Sequence, residues 1–121
     1  MQNTKQVKYN EDLYKAEDYS YSVTWSEEDK LFIGRVSEFE SLAAHADTLV
    51  LALEEITGVV RFVLDDLKES GEPIPEPFSK KRFSGKLMVR MATSLHRNLA
   101  LEAAKQGVSL NALITQKLCG V

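Results

Sequence analysis

"GKLMVRMATSLHRNLALEAAKQGVSLNALI", Gly85 to Ile114, holds one strand-like run followed by helical spacing to its end. Lys86, Met88 and Arg90 alternate with Leu87, Val89 and Met91, the period-two pattern of a half-buried strand. From Leu95 the spacing changes. Leu95, Leu99 and Ala103 make a helical stripe, and Thr93 or Ser94 is placed to cap a helix that runs to about Gln106. Gly107 ends it, Ser109 is the N-cap of another, and the second helix carries Leu110, Leu113, Ile114 and Leu118. Nothing nearby offers the run from Lys86 to Met91 a partner, and a lone strand carries unpaired backbone groups.

A segment of strand, helix, three-residue turn and helix is also too short to bury a core alone. A second copy of the chain answers both problems. Two such strands pair antiparallel across a two-fold axis, Leu87, Val89 and Met91 form the dimer core, and four helices enclose them. The outward face of the ribbon then shows Lys86, Met88 and Arg90 from each copy. A two-stranded ribbon fits the major groove of B-DNA, where arginine and lysine favour guanine edges and Met88 meets apolar surface such as a thymine methyl. Lys80, Lys81 and Arg82 would reach flanking phosphates, and the helix start at Ser109 offers backbone N–H groups to another.

Charge divides the chain in the same way. The 121 residues carry a formal net charge of −3, but residues 1–78 hold 7 Lys and Arg against 17 Asp and Glu. Residues 79–121 hold 8 Lys and Arg and one acid, Glu102. Such asymmetry points to two parts that see different partners, the basic one a nucleic-acid candidate. Between them lies "GEPIPEPF", Gly71 to Phe78, with all three prolines of the chain. Alternate prolines favour an extended, semi-rigid spacer that no helix crosses. Expected boundaries are therefore 1–70 for a first domain, 71–78 for a Pro-rich linker and 79–121 for a DNA-binding and dimerisation domain.

The first domain reads as α+β. "YSYSVTW" puts Tyr19, Tyr21, Val23 and Trp25 on one strand face and Ser20, Ser22 and Thr24 on the other. Ser26 to Lys30 reads as a turn although it has no glycine, Leu31 to Val36 as a second, antiparallel strand, and Ser41 to Ala46 as a weaker third. Asp47 and Thr48 can cap a helix reaching Ser70, with Leu49, Leu53, Ile56, Val60, Val63 and Leu67 as its buried stripe. Gly58, inside that helix, suggests a close backbone approach. Three antiparallel strands packed on one long helix are the expected architecture, while residues 1–18 are polar and irregular.

Catalytic chemistry is not indicated. His45 and Asp47 could share a strand face as a base and its orienting carboxylate, but no nucleophile is fixed beside them. His96, next to Arg97, reads as a surface or phosphate-side residue. Neither histidine has metal-ligand spacing with the single cysteine, Cys119, and there is no Gly-rich phosphate loop, so no metal or cofactor is expected. No apolar run nears the ~20 residues that span a bilayer, and Met1 to Asn10 lacks a signal peptide's apolar core. With one cysteine and no internal disulfide, a cytoplasmic setting is expected.

The segment from Gly85 to Ile114 closely resembles the ribbon-helix-helix domain at the carboxyl end of HicB-family antitoxins. "YSVTWSEEDKLFIGRVSEF", the "HADT" helix start and "GEPIPEP" resemble the amino-terminal part of the same family. The resemblance implies a first domain like a reduced RNase H fold without its activity, which binds and blocks a small basic RNA-cleaving toxin of the HicA type. It implies a second domain that represses the toxin–antitoxin operon at its operator DNA as a homodimer, with assembly into tetramers left open. It places the DNA-facing positions on Lys86, Met88 and Arg90 and the phosphate-side cap on Ser109, with Asn111 close by. Ala92 and Glu40 stand where the family often has proline. The alternative is a solitary ribbon-helix-helix regulator with no toxin partner.

Overall fold

The computed structural model describes residues 14–120, so the reading of residues 1–13 as irregular and without a signal sequence lies outside the described residues. The chain divides into two compact units, one ending at Arg82 and one beginning at Phe83. The first unit is a three-stranded antiparallel sheet in the order β1 (Tyr21–Ser26), β2 (Leu31–Val36), β3 (Phe39–Ala46), packed on one long helix, α1 (Leu49–Ser70). A short 3-10 turn, Ala16–Asp18, precedes the sheet. The second unit contributes two helices, α2 (Thr93–Gln106) and α3 (Leu110–Leu118). The α+β architecture read from the sequence is the one present.

Each first-unit element begins and ends for a local reason. The turn after β1 has no glycine, and Lys30 takes the left-handed conformation instead, at φ 56°. Its ammonium pairs with Glu27, and the Ser26 hydroxyl accepts from the Asp29 amide at 3.1 Å. Beside this turn the indole of Trp25 meets the Phe32 ring edge-on, with centroids 5.0 Å apart. Thr48 caps α1, its hydroxyl accepting from the Leu51 amide at 3.0 Å. Gly71 closes the helix at φ 73°, a left-handed position that favours glycine, and its N–H returns to the Leu67 and Lys68 carbonyls.

The core lies between the sheet and α1. Its helical line is Ala52, Ile56, Val60 and Leu64, against Val36 and Ala44 of the sheet and joined by Ala16 and Tyr19. This corrects the expected stripe, since Leu49 and Leu53 are exposed. The closest approach of helix to sheet falls at Gly34, where a Cβ would stand 2.8 Å from the Ala52 carbonyl oxygen and 3.0 Å from Ile56 Cγ2. Small residues, Gly34 and Ala52, mark that approach, and Leu49 and Leu53 are left at the rim of the core. The close approach expected at Gly58 is not made among the described residues, because a Cβ there would meet nothing within 4 Å.

The Pro-rich segment is tied to the sheet side of the first unit. Residues 72–77 form neither helix nor strand, and Pro77 is buried. The Tyr19 hydroxyl donates to the Pro75 carbonyl at 2.7 Å, and the Ser79 hydroxyl donates to the Asp18 carbonyl at 2.6 Å. Glu38, in the turn between β2 and β3, is the main clasp. Its carboxylate accepts from the Phe78 amide at 2.9 Å, and from the Ser20 amide and hydroxyl at 3.0 Å each. Partial burial pushes this carboxyl up. Hydrogen bonds from the Phe78 and Ser20 amides, from its own amide and from the Ser20 hydroxyl outweigh that and hold it below its ordinary value of 4.5.

A folded-state pKa lowered in this way adds stability above the unfolded value and loses it as pH falls through the folded value. Glu38→Ala should therefore destabilise the unit by about 1 kcal/mol near neutral pH. The difference from wild type should shrink in urea melts as pH falls from 4.5 through the lower folded-state value, where the carboxylate becomes protonated. A difference that stays constant from neutral to acid pH would count against the clasp.

Candidate nucleic-acid interface

The second unit is built from its turn outward. α2 stops at Gly107, left-handed at φ 74°, whose N–H reaches the Ala103 and Ala104 carbonyls, and the Val108 amide also returns to Ala103 at 3.1 Å. Ser109 then caps α3, its hydroxyl accepting from the Ala112 amide at 3.0 Å, as read from the sequence. The start of α2 differs from expectation. Its N-cap is Ala92, extended and with no side-chain hydrogen bond, and Thr93 is already inside the helix. Glu102 accepts from Gln106 at 3.2 Å and pairs with Lys117 of α3 at 3.2 Å. The sole acid of residues 79–121 is thus spent inside the unit, where it links the two helices.

Packing inside this unit is sparse. Ala103 and Leu113 are its buried hydrophobic residues, while Leu87, Val89, Leu95, Leu101, Val108 and Leu118 stay exposed. The segment that reads as a strand, residues 86–91, carries no helix and no ladder among the described residues. It starts after Gly85, at φ 81°, where the Ser84 hydroxyl accepts from the Lys86 amide at 3.0 Å. Lys86, Leu87, Met88, Val89 and Arg90 are all exposed, Leu87 and Met88 at 83% and 85%, and Met91 is half-buried.

Lys80, Lys81 and Arg82 fall at the end of the first unit and are also exposed. The Phe78–Lys80 turn orders them. The Lys80 and Lys81 amides return to the Pro77 carbonyl at 3.0 and 3.1 Å, and the Lys81 ammonium lies 5.5 Å over the Phe78 ring. Ser109 and Asn111 are exposed at the start of α3. His45 and Asp47 are both exposed at the end of β3, with no hydrogen bond joining them among the described residues. No charged side chain is buried among the described residues, and no three His, Cys, Asp or Glu converge there as metal donors. No helix among the described residues is long and apolar enough to cross a membrane.

An α+β unit followed by a basic, loosely packed helical pair is the class that fold and surface define. Residues 68–118 match the model of the HicB family, from the last turn of α1 through the Pro-rich segment to the end of α3. The sheet and most of α1 lie outside that match. No curated protein and no solved structure matches the chain.

Proposed function

We propose that this chain is a non-catalytic antitoxin that also represses its own operon. The first unit neutralises a small, basic, RNA-cleaving toxin of the HicA type, and the second binds operator DNA as a ribbon-helix-helix dimer. The observation that carries the reading is the HicB-family match over residues 68–118. Two physical features support it. The exposed apolar residues of the second unit, led by Leu87 and Val89, need a cover, and pairing residues 86–91 with those of a second copy supplies both cover and backbone partners. Paired in that way, Lys86, Met88 and Arg90 form the outward face of a two-stranded ribbon, with Lys80, Lys81, Arg82 and the cap at Ser109 facing phosphates.

Co-expression with the protein encoded by the neighbouring gene tests the reading. A small basic neighbour that arrests growth alone should be silenced by this chain and should co-purify with it. Arrest that persists beside full expression of this chain would leave a solitary DNA-binding regulator in place of the antitoxin.

A further inference from the structure

One flank of α1 lies open. Leu51, Glu55, Gly58, Phe62, Asp66 and Glu69 follow one another at steps of three and four residues, about a quarter-turn or more from the buried line. Phe62 is 72% exposed, an unusual state for a phenylalanine on a helix with a sheet to pack against. Glu54, Glu55, Gly58, Val59 and Phe62 line a shallow cleft of about 430 Å³. Its floor is the helix backbone at Gly58. Glycine is among the weakest helix formers, and among the described residues no neighbour requires one here, since a Cβ would meet nothing within 4 Å. A glycine that weakens its own helix and is needed by nothing among the described residues fits an outside body that comes close to that backbone.

Charge says what kind of body. The stripe holds Glu55, Asp66 and Glu69, with Glu54 beside it. The two cations of α1, Arg61 and Lys68, line a different cleft with Tyr14, Glu17 and Asp65. A second copy of this chain on the same flank would oppose carboxylates to carboxylates. We propose that this flank of α1 docks a cationic helix of another protein, which lays a small residue over Gly58, covers Phe62 with its apolar side and sets arginine or lysine against Glu54, Glu55 and Asp66. The assignment rests on the reading that the acidic unit is the partner-binding half, and it gives that unit a specific face. Phe62 and Gly58 supply the fit, and the carboxylates speed and orient the encounter.

The test uses the full-length protein and a fluorescently labelled helix-forming peptide of arginine, alanine and leucine, with a glutamate-for-arginine peptide as its counterpart. The arginine peptide should bind, and more weakly as salt rises. Phe62→Ala and Gly58→Leu should each weaken it by about tenfold or more, whereas Arg61→Ala, off the flank, should not. Gly58→Leu should also raise the melting temperature, because leucine is the better helix former and has room, so weaker binding cannot be put down to unfolding. Binding that survives both substitutions, or equal binding of the glutamate peptide, overturns the proposal. So does a Phe62→Ala or Gly58→Leu protein that self-associates less in sedimentation yet binds the peptide unchanged. If the neighbouring protein is not silenced while the peptide still docks here, the antitoxin reading fails and this face stands. If silencing holds and the peptide ignores both substitutions, the face alone fails.

Discussion

Arg90→Ala should weaken specific DNA binding by about 1–3 kcal/mol for each guanine edge it no longer reaches, and a dimer gives up two. The expectation follows from period-two geometry. A paired strand that turns Leu87, Val89 and Met91 inward must turn Lys86, Met88 and Arg90 outward, and of these Arg90 alone offers a planar fork of donors to a guanine edge. Lys81→Ala is the natural comparison. Its ammonium rests over the Phe78 ring within the first unit, and a phosphate interaction from there carries no sequence information. The two variants should differ in kind. Arg90→Ala should narrow the gap between operator and unrelated DNA, whereas Lys81→Ala should lower both alike and flatten the salt dependence. A mobility-shift titration with both DNAs at two salt concentrations separates them, and equal operator affinity for wild type and Arg90→Ala would exclude readout by the ribbon.

The other large effect belongs to Gly34. Strand glycines are commonly worse than alanine by about 0.5–1 kcal/mol, so replacement would ordinarily stabilise. Here a Cβ would sit 2.8 Å from the Ala52 carbonyl oxygen, a helix backbone atom that cannot swing aside as a side-chain tip can. The helix would have to lift off the sheet. Gly34→Ala should therefore be destabilising on balance, and Gly34→Val should cost roughly 3 kcal/mol. In a unit of this size that lowers the melting temperature by ~10–20 °C. A Gly34→Val protein that melts with the wild type would mean that helix and sheet do not pack as described.

Much of the first unit was legible because its signals are local. Alternation marked β1, Leu31 to Val36 could be read as β2 from its own residues, and the Thr48 cap with the Gly71 stop set both ends of α1. What escaped was whatever depends on distance between elements. Ala52 carries too little apolar surface to announce a core line, so the leucines beside it drew the stripe one position astray. Glu38 looked like any loop carboxylate, and only the fold brings Ser20 and Phe78 to it. Lys30 adopts the left-handed turn with no glycine to signal it. In the second unit the helix limits at Gly107 and Ser109 could be read one residue at a time. The proposed pairing of residues 86–91 with a second copy would be a property of two chains, and its test lies in DNA binding and assembly.

The placement of Trp25 has an optical consequence. It is the single tryptophan of the chain, half-exposed beside Phe32, and all four tyrosines also precede it in sequence. Beyond Arg82 the only aromatic residue is Phe83. Ultraviolet emission excited at the indole band thus comes from the first unit alone, while helical circular dichroism comes from both. The two halves of this molecule therefore carry separate spectroscopic signatures without any label, and melting or titration of one can be followed against the other in a single sample.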